Sequence, residues 1–202
     1  MKINLSPRSM GRAICSLLGY SYKGPFPWPS ETSKCRERLS TYCMGYGLDL
    51  GFGGDPIVDH AIRIDMPAPY ANMGNQRVQL GGDAGNLYWF RDDVLDFVYS
   101  SHLLEDFLDT ESVLREWLRV IKPGGRLILY CPDEKRFQEH CKETGQPYNK
   151  RHKHETFSLK FVKERLIALG ENEFIYENPF VDDYSWELVL VKRGRIGEKP
   201  EP

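Results

Sequence analysis

The sequence of 202 residues contains no C-x-x-C pair, and its five cysteines, Cys15, Cys35, Cys43, Cys131 and Cys141, are odd in number. That pattern argues against a disulfide framework and for free thiols in a reducing compartment. Long apolar runs are missing too. Ala13 to Gly19 is mildly apolar but too short for a signal-peptide core or a membrane span, so a cytoplasmic protein without membrane contact is expected. Neither sign of charge is in excess: Lys plus Arg number 27 and Asp plus Glu 29. No global field therefore draws the chain to nucleic acid. There is no internal repeat. What is present is ordinary globular composition, 41% hydrophobic and 28% charged, at a length that suits one domain with a proper core.

The chain is organised around Gly45-Tyr46-Gly47-Leu48-Asp49-Leu50-Gly51-Phe52-Gly53-Gly54-Asp55-Pro56. An apolar run ending in Asp49-Leu50 reads as a buried strand, after which Gly51, Gly53 and Gly54 force a tight loop. Glycine serves where the backbone takes positive φ or a ligand must come close. Such a loop at the carboxyl end of a strand is the nucleotide-binding corner of a doubly wound sheet; plain turns use glycine in the same way. Residues 61–65 form a second short strand ending in the carboxylate of Asp65. Residues 77–80 lead a third into Gly81-Gly82-Asp83-Ala84, residues 94–102 give a fourth, and Lys122-Pro123-Gly124-Gly125 turns into a fifth through Tyr130.

These five ordered signatures resemble the class I S-adenosylmethionine (SAM) dependent methyltransferases of the type 11 kind, over roughly residues 45–131. The resemblance implies an α/β fold, a Rossmann-like three-layer sandwich whose mostly parallel seven-stranded sheet carries one antiparallel strand near the C-terminus. It implies S-adenosyl-L-methionine as cofactor, with Asp49, Gly51, Phe52 and Gly53 at the glycine loop. Asp65 would accept from the ribose hydroxyls, and Met66 would cover an adenine face. Asp83 and Ala84 would meet the adenine amino end, with Ser100, Ser101 and His102 under the methionine part. Asp65 also reads as a strand-end cap, and Asp83 as an Asx-turn.

Two departures from the family pattern stand out. Asp55-Pro56 occupies the place where a third glycine is common, and little room remains for a crossover helix before the second strand. Either a single helical turn replaces that helix, or the second strand is displaced by a few residues. The fourth strand ends Tyr99-Ser100-Ser101-His102, not in the Asn/Asp-Pro-Pro-aromatic motif of methylases acting on exocyclic base amines. A small-molecule or sugar-type acceptor, methylated on oxygen or nitrogen, is the reading. An NAD(P)-dependent oxidoreductase and a non-catalytic SAM-binding module are the alternatives.

Residues 1–44 form a proline-rich and helical cap segment, 45–192 the cofactor-binding domain, and 193–202 a loose polar tail. The Phe26/Trp28 stretch reads as a hydrophobic clasp or a pocket wall. Ser30 can cap a helix through about Met44, Asp109 or Thr110 one through Ile121, and Ser158 one through about Leu169. Phe174–Tyr176 and Trp186–Val191 read as a closing antiparallel pair. Residues 133–155 read as a polar, histidine-rich loop on the ligand rim, either a plain solvated basic loop or one that selects the acceptor through groups such as Gln146, Tyr148 and Asn149. Its positive character suggests a sugar phosphate or nucleotide sugar. His102, His152 and His154 are the candidates for a general base. The spacing of His140, Cys141, His152 and His154 matches no standard zinc site, so no metal is expected.

Overall fold

The computed structural model describes residues 29–69, 76–170 and 172–194. The Phe26/Trp28 stretch and most of the polar tail therefore lie outside the described residues. In chain order the elements are α1 (Glu31–Leu39), β1 (Gly47–Leu50), β2 (Ile62–Asp65), β3 (Leu80–Gly81), β4 (Leu95–Ser101), α2 (Thr110–Val120), β5 (Ile121–Pro132), α3 (Glu134–Thr144), α4 (Leu159–Ala168), β6 (Asn172–Val181) and β7 (Ser185–Lys192). The strands form one seven-stranded sheet in the order β3-β2-β1-β4-β5-β7-β6. The first five pair in parallel, and β7 runs antiparallel to both of its neighbours. This is the expected α/β sandwich with its single reversed strand.

Period-two alternation divides the core between the two sheet faces. On one face Leu48, Leu50, Val98, Leu127, Leu129 and Leu188 pack with Val113, Leu114 and Trp117 of α2 and with Val162 and Leu166 of α4. On the other, Phe97, Tyr99, Ile128, Tyr130 and Val189 pack with Cys35 and Leu39 of α1 and with Ile57 and Ala61. The four described cysteines, Cys35, Cys43, Cys131 and Cys141, are free and buried. Trp117 is part of the core, and its indole N–H donates to the Ala84 carbonyl at 2.7 Å.

The two departures resolve differently. The second strand sits where the sequence places it, and residues 51–61 join β1 to β2 by turns alone, with no helix. The sheet face a crossover helix would cover is taken by α1, whose Cys35 and Leu39 join Ile57 and Ala61 over Phe97 and Tyr99. Ser30 caps α1 by accepting from the Ser33 amide at 2.9 Å, and the helix tightens into a 3-10 turn over Ser40–Tyr42. Pro123-Gly124-Gly125 does not separate α2 from β5: the strand begins at Ile121 and takes those residues as a register irregularity. A Cβ on Gly125 would stand 2.9 Å from the Asp96 carbonyl, so only glycine fits where β5 approaches β4.

Residues 134–144 are helical, not loop, which corrects the expectation for the segment after β5. Asp133 caps α3 by accepting from the Arg136 amide, and Gly145 ends it at φ 72°. Phe137 and Cys141, one turn apart, pack on Tyr184.

Candidate functional site

Because β1 to β5 are parallel and β6 runs with them, their carboxyl ends and the β6–β7 turn share one rim. A cleft of about 230 Å³ opens there, lined by the ends of β1, β2 and β4, the first residues of α1, the segment around and after α3, and Tyr184 from the β6–β7 turn.

One half of this cleft is backbone. Gly51 leaves β1 at φ 67° and Gly53 follows at φ 57°, conformations that side-chain-bearing L residues avoid. The Gly51 amide donates to the Ile64 carbonyl at 2.8 Å, which ties the loop to β2. A Cβ built on Gly53 meets only the Gly51 carbonyl, at 3.9 Å, so its absence leaves the cleft floor open. Asp65, at the end of β2, accepts from the Gly53 amide at 3.2 Å and from the Met66 amide at 2.8 Å. Burial raises its pKa above the ordinary carboxylate value, against those two hydrogen bonds. Asp49 lies beneath the loop. It is fully buried, Oδ2 accepts from the Ile57 amide at 2.7 Å, and Oδ1 has no partner. Burial pushes its pKa up to about 7.

The other half is side chains. His102, in the left-handed region at φ 48°, ends β4 and points its ring between Tyr130 and Tyr184. Its Nε2 is 3.2 Å from the Ser185 hydroxyl and 3.4 Å from Glu31 Oε2. Burial drops its pKa to about 4, so the imidazole is neutral near pH 7. Glu31 is itself held by the Lys34 ammonium and the Tyr184 hydroxyl, each at 2.9 Å. Phe137 packs on both Tyr184 and His152, with ring centroids 5.1 and 5.0 Å apart. His152 Nδ1 is 2.7 Å from Glu134, which also accepts from Gln138 and Tyr148 at 2.8 Å each. Burial alone would raise the Glu134 pKa, but those hydrogen bonds and the His152 charge hold it below the usual range.

Not all of the expected site residues meet. Gly51, Phe52, Gly53, Asp65, Ser101, His102 and His152 line the cleft together, with Gln146 and Asn149 of the loop after α3. The Ser101 hydroxyl is buried without a partner there. Ser100 is buried in β4 and donates to the Leu50 carbonyl at 3.1 Å. Met66 is exposed. The Gly82 amide donates to the Asp65 carbonyl at 2.9 Å, so the turn that begins at Asp83 adjoins β2. Asp83 closes an Asx-turn on the Gly85 amide, and Ala84 is buried against Trp117. His154 departs from the expectation: its Nε2 is 2.8 Å from the Phe107 carbonyl and 2.9 Å from the Thr110 hydroxyl, outside the cleft. Tyr148 serves Glu134, and the basic residues of 133–155 are exposed and line no part of the cleft. Glu31, Glu134 and Tyr184 had no distinguishing sequence signal, because only the tertiary fold gathers them. Among the described residues no group of three or more His, Cys, Asp or Glu is placed to hold a metal ion, and no helix is long and apolar enough to cross a membrane.

A family model described as a methyltransferase domain matches residues 48–129. The ubiquinone/menaquinone biosynthesis C-methyltransferase UbiE of Vibrio vulnificus is 27% identical over 126 residues, covering 58% of this chain and 45% of the relative. The chain thus spans about half the length of that curated relative. The crystal structure of the PH0226 protein from Pyrococcus horikoshii superposes with a TM-score of 0.62 at 21% identity, over 80% of this chain and 89% of that one. A SAM-dependent methyltransferase from Archaeoglobus fulgidus gives 0.60 at 16% identity, over 80% and 92%. The open floor at Gly53, the Asp65 carboxylate and the unpartnered Ser101 hydroxyl fit a ligand carrying ribose and amino-acid groups. Residues 48–129 thus match a methyltransferase-domain family model, and the strand order and the rim are those of the class I S-adenosylmethionine-dependent methyltransferase fold.

Proposed function

We propose that the chain is a SAM-dependent methyltransferase whose acceptor is a neutral hydroxylated aromatic ring, docked in the side-chain half of the cleft. The observation that carries the reading is the division of one cleft into a glycine-and-carboxylate half and an aromatic, imidazole-lined half. In the first half Asp65 would hold the ribose hydroxyls, Gly51, Phe52 and Gly53 would pass the backbone close beneath, and Asp49 would brace the loop from below. Ser101 would meet the amino-acid end, while Met66 and the Asp83–Ala84 turn stand on the adenine side. The bound cofactor supplies an electrophilic methyl group on a sulfonium, so the protein's work is alignment and proton removal.

The acceptor class follows from the lining. Phe137 and Tyr184 offer aromatic faces, Gln146, Asn149 and the histidines offer hydrogen bonds, and Glu31 and Asp65 are the ionisable acids. No Lys or Arg side chain among the described residues lines the cleft. A phosphate would be buried there without a counter-charge, which is costly, so a sugar phosphate is disfavoured. The V. vulnificus relative's name, a quinone-biosynthesis C-methyltransferase, supports a ring acceptor and opens carbon as the methylated atom. The antiparallel β7 weighs against the oxidoreductase alternative. Calorimetric titration with S-adenosylhomocysteine and with NAD tests the cofactor: binding of NAD alone would sink the reading. Mass analysis after incubation with labelled SAM and a panel of dihydroxybenzenes and sugar phosphates tests the acceptor. Methylation of sugar phosphates only would overturn the ring assignment.

A further inference from the structure

Of the two carboxylates that line the cleft, Asp65 is answered by backbone amides and Glu31 by side chains. Glu31 opens α1 directly after the Ser30 cap, and its side chain is 27% exposed. Lys34, one turn on, donates to both of its oxygens at 2.9 Å, and the Tyr184 hydroxyl donates to Oε1 at 2.9 Å. Lys34 also donates to that hydroxyl at 3.0 Å and lies over the Tyr184 ring, 5.0 Å from its centroid. Ammonium, phenol and carboxylate close a triangle, so Glu31 is fixed in place and its charge is matched. Among the described residues Oε1 accepts two of these hydrogen bonds and Oε2 one, which leaves a lone pair on Oε2.

The nearest donor to that lone pair is His102. Its Nε2 is 3.4 Å from Glu31 Oε2 and 3.2 Å from the Ser185 hydroxyl. The imidazole is neutral near pH 7, and its single proton belongs on the nitrogen that faces the carboxylate. At 3.4 Å the pair stands farther apart than a good hydrogen bond allows. A hydroxyl entering the cleft can make two good ones there, donating to Oε2 and accepting from Nε2–H. We propose that Glu31 and His102 together anchor a free hydroxyl on the acceptor ring, an assignment that rests on the methyl-transfer reading. Tyr184 and Phe137, with centroids 5.1 Å apart, supply faces for the ring that carries it.

The charge state of Glu31 decides what the anchor does. Burial alone would raise its pKa, but His102, the Lys34 ammonium and the hydrogen bonds from Lys34 and Tyr184 hold it below the ordinary value. With His102 neutral, Lys34 is the standing counter-charge. A carboxylate held in this way is a strong hydrogen-bond acceptor and a weak base. It keeps the acceptor hydroxyl in place without taking its proton. The anchored hydroxyl is therefore not the methylated group; the methyl goes to another atom of the same ring or to a second hydroxyl. A phenol that donates to a carboxylate also carries more electron density in its ring, which suits attack on an electrophilic methyl. A fully etherified ring has no proton to give and would set an ether oxygen against the carboxylate, and a site built for a hydroxyl rejects such an analogue.

Three ring probes test the anchor. Hydroquinone, its monomethyl ether and its dimethyl ether are titrated by NMR into the native chain loaded with S-adenosylhomocysteine. The first two each keep a free hydroxyl and should bind within about threefold of one another. The dimethyl ether should bind about 10- to 150-fold more weakly than hydroquinone. In Glu31→Gln the amide can donate to an ether oxygen as well as accept from a hydroxyl, so that gap should shrink to within about threefold. A gap caused only by the bulk of the second methyl would survive in this variant. Nitrogen NMR of the native chain without ligand should find His102 protonated on Nε2. Equal binding of all three probes, no binding of hydroquinone, an undiminished gap in Glu31→Gln, or His102 protonated on Nδ1 overturns the proposal. The measurements on the native chain stand even if the variant does not fold. Failure of S-adenosylhomocysteine to bind removes the methyl-transfer reading, while the same probes titrated into the unloaded chain still decide the anchor.

Discussion

The two halves of the cleft are built by different means. The glycine half, proposed above for the cofactor, is built at two adjacent strand ends: the backbone of Gly51 and Gly53 after β1, and Asp65 at the end of β2, locked by the Gly53 and Met66 amides. The aromatic half, proposed for the acceptor, is made of side chains from five separate segments, Glu31, His102, Phe137, His152 and Tyr184. A backbone cradle is a local property of sequence. A side-chain wall is a property of the packed fold, and substitution should affect the two halves in different observables.

The largest expected effect is at Gly51. Valine there would hold a β-branched residue at φ 67° and place a Cβ 2.8 Å from Leu103 Cδ2. Left-handed backbone alone costs an L residue roughly 1–2 kcal/mol, and displacing Leu103 disturbs the cleft wall. Affinity for S-adenosylhomocysteine should fall by about 100-fold, equivalent to about 2.7 kcal/mol. Phe137→Ala should leave that affinity within about threefold and act on acceptor binding instead. Equal losses in both variants would erase the division between the halves.

Next is Asp65. Removing a charged hydrogen-bond acceptor costs about 1.5–3 kcal/mol, so Asp65→Ala should weaken S-adenosylhomocysteine by about 10- to 150-fold in calorimetry. Unchanged affinity in a folded variant would take Asp65 out of the site.

The comparison also explains what could be read in advance. The glycine loop, the strand-end acid and the caps at Ser30, Asp109 and Ser158 were legible because each is a local backbone requirement answered by a particular residue type. The helix from Glu134 to Thr144 was legible in principle, through its Asp133 cap, its Gly145 stop and the Phe137/Cys141 spacing, but the density of polar and histidine residues masks that pattern. Glu31 and Glu134 were not legible at all. A buried carboxylate looks like any surface one until its neighbours are known.

A pH-dependent effect, read in stability and not in cofactor affinity, distinguishes Asp49 from Asp65. Asp49 is fully buried with one oxygen unpartnered, and its pKa is raised to about 7. The unfolded chain releases that proton near the ordinary carboxylate pKa while the folded chain keeps it. The group's contribution is therefore complete below about pH 4 and is lost as pH rises toward 7, at about 1.4 kcal/mol per pH unit. Asn, which can still accept from the Ile57 amide, has no such slope. Asp49→Asn should gain stability relative to the native chain as pH rises from 5 to 7 in denaturant titrations. A gap independent of pH would mean that Asp49 is ionised in the fold.

The smallest effect concerns two histidines that the sequence could not tell apart. His152 and His154 are two residues apart in a polar segment, yet His152 lines the cleft against Glu134 while His154 is turned outside it, onto the Phe107 carbonyl and the Thr110 hydroxyl. Thr110 begins α2, and Phe107 immediately follows the 3-10 turn Leu104–Asp106 after β4. His154 therefore fastens the 149–155 loop to the element behind the site and packs on Phe161 with centroids 5.0 Å apart. His154→Ala should lower stability by about 1 kcal/mol, the ordinary net worth of a neutral hydrogen bond, and leave the shape of any pH–rate profile unchanged. His152→Ala should change that profile, because it removes an imidazole that lines the cleft and leaves Glu134 without its 2.7 Å partner. If His154→Ala moved the profile as much as His152→Ala, the loop as a whole, not the one imidazole facing the cleft, would be setting the chemistry.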